Sequence, residues 1–203
     1  CLVGSEMCIR DSSTPQRGTR KTLIESAVRN AADTLARKLS ESTTQRKLLD
    51  RTAELFELES PPRRIEVYDN SHISGSNPLG VMIVSGEEGF EKKAYRKFNI
   101  KNSDISPGDD YAMMREVLTR RLSRALKQDL DRDKTSWPDL ILIDGGPGQL
   151  AVAVEVLDEL GINDLRVAAI AKGPDRDAGR ERFHIPGRMP FTLPFQDPVL
   201  YFM

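Results

Sequence analysis

Three aspartates lie at positions where carboxylates often meet. Asp69 and Asp144 each end a predicted strand, and Asp110 opens a long amphipathic stretch. If the two strands are adjacent and parallel, Asp69 and Asp144 emerge at the same carboxyl edge of one sheet, where α/β sheets place ligands. Carboxylates held close repel each other unless a cation neutralises them, and oxygen ligands favour Mg²⁺ or Mn²⁺. The pattern therefore predicts a divalent-metal site.

A structural interpretation competes with this one at each position. An aspartate at a strand end or a helix start is more often a turn former or an N-cap than a ligand. Asp109, directly before Asp110, is expected to cap the helix. Three such residues at two strand ends and one helix start favour a site more than any one of them does.

Lys172 and His72 are further candidates near this edge. Lys172 ends the last predicted strand and is expected to face a phosphate, unless it is simply a solvated strand end. His72 follows Asp69 closely, although a lone histidine beside a carboxylate is usually a polar packing residue. His184 lies in the tail and is a weaker candidate.

A rival interpretation rests on the stretch from Gly146 to Ala151 (GPGQLA). It follows a predicted strand, opens a helix and fits the relaxed dinucleotide fingerprint G-x-G-x-x-A, so it could hold a pyrophosphate at the helix N-terminus. Against this interpretation, Lys172 stands where the fingerprint expects an acidic residue after the next strand. A dinucleotide or phosphate-binding module therefore remains the alternative function.

The elements that position these residues follow from hydrophobic periodicity and turn residues. Three strands spaced for an antiparallel meander precede alternating helices and strands. Later strands reached through helical crossovers run parallel to a central one, so we predict an α/β fold with an RNase H-like mixed sheet. The predicted strands are 64–69, 79–85, 93–100, 139–144 and 166–171, and the predicted helices are 110–130 and 149–160.

The regions on either side are less regular. An i, i+3, i+4 apolar stripe predicts a helix over 21–39, and a second helix is expected near 48–56, before the paired prolines Pro61 and Pro62. Three domains are expected from these patterns: residues 1–12 as a non-native leader, 13–60 as a helical segment and 61–203 as the α/β domain. The tail over 173–203 is expected to be loop-like.

The composition bounds the class of protein. The chain has 38% hydrophobic and 30% charged residues, a net charge of -1, and no apolar run long enough to span a bilayer. Both cysteines lie in the first eight residues, so no disulfide framework or thiolate metal site is expected in the body of the chain. These features predict a globular, cytoplasmic protein without a membrane partner.

Several segments together resemble the C-terminal RNase H-like endonuclease domain of the UvrC family, which belongs to the bacterial ABC excinuclease. The similarity runs from about residue 63 to the last residue. The matching segments are 68–72 (YDNSH), 95–100 (YRKFNI), 107–111 (PGDDY), 114–121 (MREVLTRR), 142–146 (LIDGG) and 171–173 (AKG).

The resemblance implies a role in bacterial nucleotide excision repair. It implies a metal-dependent DNA endonuclease that makes the 5′ incision beside a lesion, acts on damaged DNA and is recruited by UvrB through a segment absent here. Its acidic catalytic positions fall on Asp69, Asp110 and Asp144, with Mg²⁺ or Mn²⁺ as cofactor. A further catalytic histidine of the family would follow Met203, so the domain is expected to be incomplete and this fragment weakly active or inactive.

Overall fold

The computed structural model describes residues 15–73, 76–101, 105, 108–129, 136–173, 180–195 and 197–201. Within these ranges, the side chains of 36–41, 71–73, 76–77 and 201 are outside the description. The chain divides into two compact units, residues 1–43 and 44–203. The domain boundaries expected from the sequence stay a prediction.

Helix α1 spans Gly18–Phe56, where the sequence suggested two separate helices. The stretch between the two predicted helices is polar but contains neither glycine nor proline, so nothing in it breaks the backbone hydrogen bonds. In the first unit, Leu23 and Val28 are exposed on this helix. In the second unit, its last turns bury Leu49 and Phe56.

The second unit is built on one mixed sheet. The strands lie in the order β3-β2-β1-β5-β6-β7-β8, and β4 also pairs with β2. Their bounds are β1 Arg64–Ile73, β2 Ser76–Gly86, β3 Gly89–Phe90, β4 Arg96–Asn99, β5 Leu140–Asp144, β6 Arg166–Ala171, β7 Arg182–His184 and β8 Phe191–Thr192. Two α-helices, α2 Asp110–Gln128 and α3 Pro147–Glu159, and two 3-10 turns, Lys92–Ala94 and Pro198–Tyr201, complete the described elements.

The strand pairing confirms the predicted fold class. Strands β1 and β2, and also β2 and β4, are antiparallel and form the meander. Strands β1, β5 and β6 are parallel neighbours. Helix α3 connects β5 to β6, as a parallel pair requires.

Two details of the prediction were wrong. The third strand does not start at Lys93, because the Lys92–Ala94 turn occupies that stretch and β4 begins at Arg96. The tail is not simply a loop, because β7 pairs antiparallel with β6 and β8 pairs with β7. These strands are only 3 and 2 residues long, too short to give a readable alternation of apolar and polar residues.

Each face of the sheet carries its own core. Strand residues alternate between faces, so Tyr68 and Ile143 pack toward α2 and α3, whereas Ile65 and Leu142 pack with the end of α1 and with Phe183. By the same alternation, Asp69 and Asp144 belong to the Phe183 face. Among the described residues, none of the helices has the combined length and apolar character of a membrane span.

A buried ion cluster fixes α2 against β1 on the opposite face. The Glu66 side chain is fully buried and accepts hydrogen bonds from Arg121 Nη2 at 2.7 Å, Arg64 Nε at 3.0 Å and Tyr68 OH at 2.6 Å. Burial, reinforced by the Glu66 charge, raises the pKa of Tyr68 well above its usual value. Because two guanidinium groups pair with one carboxylate, the buried charge is compensated.

Candidate active site

Asp69 and Asp144 come together at the carboxyl ends of two adjacent parallel strands. The last paired positions of β1 and β5 are Tyr68 and Ile143, and each aspartate is the next residue along its strand. Both side chains line one cavity of about 450 Å³, together with Lys172. The remaining wall of this cavity is largely apolar and is formed by Val67, Val81, Ile83, Ile170, Phe183 and Leu200, together with the acidic Glu181.

The electrostatics of Asp69 show that the two carboxylates interact. Partial burial raises the pKa of Asp69, and the negative charge of Asp144 raises it further. The Lys172 ammonium and a backbone hydrogen bond from Asn70 oppose this shift, whereas the charge of Asp110 adds to it. The cavity therefore concentrates negative charge that a cation would relieve.

Lys172 supplies part of the compensating charge. Its Nζ donates a hydrogen bond to Asp144 Oδ2 across 3.3 Å, and both side chains remain partly exposed. Position 172 directly follows β6, and its alternation with Ala168 and Ile170 places it on the face that carries both aspartates. Lys172 therefore lies at the edge of the two aspartates, and its predicted contact with a phosphate stays a prediction.

Asp110 approaches the site from the other side of the sheet. It is the first residue of α2, and its main-chain carbonyl accepts a hydrogen bond from Asn70 Nδ2 at 3.1 Å. The predicted cap is confirmed, because the Asp109 side chain accepts the Ala112 N–H at 3.0 Å. Asp110 lines a neighbouring cavity of about 410 Å³, whereas Asp69 and Asp144 line the first one.

The donor set fits a hard divalent cation. Mg²⁺ is commonly held by one or two carboxylates, with water and substrate phosphates completing its coordination. Asp69 and Asp144 offer those two carboxylates, and their mutual repulsion disfavours the site without a cation. Among the residues that the structure describes, no cluster of three His, Cys, Asp or Glu side chains is placed to hold a metal. A direct ligand role for Asp110 therefore stays a prediction.

The two histidines have different outcomes. The side chain of His72 lies outside the described residues, so its predicted role stays a prediction. His184 lies on β7 opposite Ala169 and is half-buried.

Glu181 is a cavity residue that was missed from the sequence. It lies just before β7 and lines the cavity of the two aspartates, and nothing in the tail indicated that the chain returns to the sheet.

The glycine-rich turn after β5 makes internal contacts that disfavour the dinucleotide interpretation. The Gly145 N–H donates to Ile170 O at 3.1 Å, and the Gly146 N–H donates to Gln149 Oε1 at 3.2 Å. A Cβ atom at Gly148 would lie 2.5 Å from the Tyr111 hydroxyl, so this glycine allows the tyrosine to pack against the helix start. The amides of Gly145 and Gly146 are therefore already paired, and Gly148 packs against the first turn of α2.

Comparisons with known proteins agree with this architecture. Residues 53–203 match the family described as the UvrC RNAse H endonuclease domain. The chain belongs to this family. It is 56% identical over 207 residues to the UvrABC system protein C of Rhodospirillum rubrum, covering 100% of this chain and 32% of that protein. It is 61% identical over 191 residues to the UvrABC system protein C of Paramagnetospirillum magneticum, covering 94% of this chain and 31% of that protein.

The chain spans about a third of the length of these curated relatives. The backbone of the chain also resembles, more weakly, that of the crystal structure of human ENDOV. That comparison has a TM-score of 0.43 and 14% sequence identity, and covers 68% of this chain and 59% of the other. The family assignment rests on the sequence relationship alone.

Proposed function

We propose that this chain is the part of a UvrC-type repair nuclease that hydrolyses a phosphodiester bond in damaged DNA, using Mg²⁺ or Mn²⁺. The observation that carries the proposal is the placement of Asp69 and Asp144 on one sheet face, at adjacent parallel strand ends, in one cavity with Lys172. The family relationship supports DNA as the substrate and nucleotide excision repair as the process. We further propose that the incision is the one 5′ of the lesion, with UvrB as partner and the cytoplasm as the compartment.

The chain's own residues have distinct roles in this mechanism. Asp69 and Asp144 would hold the cation and orient the attacking water, and the cation would relieve the repulsion between the two carboxylates. When bound, the metal supplies water activation and stabilises negative charge on the phosphate. Lys172, within reach of Asp144, donates to a non-bridging phosphate oxygen of the scissile group. Asp110 strengthens the negative potential from the start of α2.

A metal titration combined with a nicking assay tests this function. Mn²⁺ affinity is expected to fall on the order of tenfold or more in Asp69→Asn and in Asp144→Asn, because each removes one of two ligands. Nicking of a lesion-bearing duplex by this chain is expected to be weak, to require Mn²⁺ or Mg²⁺, and to fall to background in the same variants.

Asp158→Asn is the matched control for both measurements. Asp158 is an exposed carboxylate in α3 that does not line the cavity of Asp69 and Asp144. Its substitution removes the same charge and is expected to leave metal affinity and incision unchanged. Equal metal affinities in all three variants would reject the proposed site.

A further inference from the structure

A row of side chains crosses the sheet on the face that carries the two aspartates. Asp69 of β1 is paired with Val81 of β2, and Val81 is paired with Lys97 of β4. Directly paired residues of neighbouring strands point to the same face, so Lys97 lies on the face of Asp69. Val81 lines the aspartate cavity, which confirms the direction of this row.

Lys97 is placed to bind an anion near the site. Its side chain is exposed, and it forms no ion pair with the described part of the chain. The acidic residues Glu87 and Glu88 follow the far end of β2, beyond Gly86, whereas Lys97 pairs with Val81 in the middle of that strand. The positive charge of Lys97 is therefore available to a ligand that crosses this face.

The two carboxylates lie between two lysines. Neighbouring strands are about 4.8 Å apart, so Lys97, two strands from β1, is about 10 Å from Asp69 along the row. On the other side, Lys172 follows β6, the strand next to the one that ends at Asp144. Positive charge therefore flanks the acidic centre on both sides, in a direction that crosses the strands.

We infer that Lys97 binds a backbone phosphate of the DNA strand that is cut, so that this strand crosses the sheet from β4 toward β6. The phosphates of one DNA strand follow a helical path, so neighbouring phosphates are further apart than the rise of about 3.4 Å per nucleotide along the axis, and the contacted phosphate is about one or two nucleotides from the scissile one. A lysine ammonium binds phosphate as a point charge and carries no sequence information, which suits incision at a position set by a lesion. This inference rests on the proposed nuclease function.

DNA binding by the full 203-residue chain, measured in a metal chelator so that no incision occurs, tests the inference. The probe is a short fluorescently labelled duplex, titrated at several salt concentrations. Lys97→Gln is expected to weaken binding by about three- to tenfold and to reduce the slope of log affinity against log salt by about 1, the effect of losing one phosphate contact. Lys97→Arg keeps the charge and is expected to bind as the unchanged chain does.

Lys127→Gln provides the matched control. Lys127 is an exposed lysine near the end of α2, which packs on the other face of the sheet. Its loss is expected to leave both affinity and salt slope unchanged. Thermal unfolding of each variant checks that the fold is intact.

Three outcomes would overturn the inference: no DNA binding by the unchanged chain, no effect of Lys97→Gln, or an equal effect of Lys127→Gln. The failure of this inference can be told apart from the failure of the nuclease proposal, because the binding measurement needs neither metal nor incision. If Lys97→Gln leaves DNA binding unchanged while Asp69→Asn and Asp144→Asn still weaken Mn²⁺ binding, only the phosphate contact is rejected. If Lys97→Gln weakens DNA binding while the two aspartate variants bind Mn²⁺ as the unchanged chain does, the nuclease site is rejected and a DNA-binding surface remains.

Discussion

The ammonium group of Lys172 lies 3.3 Å from a carboxylate oxygen of Asp144, at the edge where Asp69 also ends its strand. The lysine lowers the pKa of Asp69, while Asp144 raises it. Lys172 thus acts as a local counter-charge for two carboxylates that repel each other. A metal ion bound by those carboxylates, as we propose, would compete with this lysine.

Replacing Lys172 with methionine is therefore expected to strengthen metal binding while weakening DNA binding. The substitution removes a like charge near the metal and frees Asp144. Because the Lys172 and Asp144 side chains are both partly exposed, the gain in the free energy of Mn²⁺ binding is expected to be about 1 kcal/mol, or about fivefold in affinity. Isothermal titration with Mn²⁺ measures it, and Lys172→Arg, which keeps the charge, is the control. Weaker Mn²⁺ binding in Lys172→Met would contradict the competition.

Asp69 is expected to make the stability of the fold depend on pH. Burial first, and then the charge of Asp144, raises the pKa of Asp69 above that of the unfolded chain. Between the unfolded and folded pKa values the folded state holds a proton that the unfolded state has lost. The free energy of unfolding therefore falls as the pH rises through this interval.

Asp69→Asn is accordingly expected to stabilise the metal-free chain at neutral pH. The gain is expected to be under about 1 kcal/mol, because the side chain is only partly buried and solvent screens its interactions. Urea unfolding at neutral pH and near pH 3 measures it, since the gain should vanish where the carboxyl group is protonated in both states. An equal gain at both pH values would point to a cause other than charge.

Arg121→Met is expected to destabilise the protein by about 3 kcal/mol, because it leaves the fully buried Glu66 with less compensating charge. Arg115→Met is the matched control. Arg115 also lies on α2 and pairs with two glutamates, Glu155 and Glu159, but those partners are exposed. Arg115→Met is expected to lower the free energy of unfolding by less than about 1 kcal/mol. Urea unfolding distinguishes the two, and similar losses would show that the Glu66 cluster contributes no more than a surface pair.

The sequence contained enough information for the sheet and for its acidic edge. Apolar runs predicted β5 and β6, a short strand pattern before turn residues predicted β1, and the need for helical crossovers made these strands parallel, which brings Asp69 and Asp144 to one edge. The capping role of Asp109 was also readable, because an aspartate before an amphipathic stretch has few other local partners. These features depend on local chemistry and on general topology.

Features that depend on residues far apart in the sequence could not be predicted. Glu66 has the position of an ordinary polar residue in a strand, and only the fold shows that Arg121, 55 residues away, makes its burial tolerable. Glu181 reaches the cavity only because β7 returns to the sheet. Which aspartates share a cavity also depends on side-chain direction, which places Asp110 apart from Asp69 and Asp144.

Gly80 is expected to be required for the close approach of α2 to the sheet. It is paired with Asn70 on β1, and a Cβ atom at Gly80 would lie 2.4 Å from Val117 Cγ2. Val117 is a fully buried residue of α2, so either its side chain or the helix has to shift if the methyl group is added. Gly80→Ala is expected to destabilise the protein by about 1–3 kcal/mol through overpacking, as measured by urea unfolding.

A second substitution separates overpacking from a loss of backbone freedom at Gly80. Val117→Ala removes the methyl groups that the new Cβ would meet, although alone it costs about 1–3 kcal/mol through the cavity that it leaves. If the two changes compensate, Gly80→Ala combined with Val117→Ala is expected to be more stable than the sum of the two single losses, by about 1 kcal/mol or more. Additive losses would show that α2 is not held at this distance by the glycine. Because α2 begins at Asp110, whose carbonyl accepts the Asn70 amide, a shift of the helix is also expected to weaken Mn²⁺ binding in Gly80→Ala.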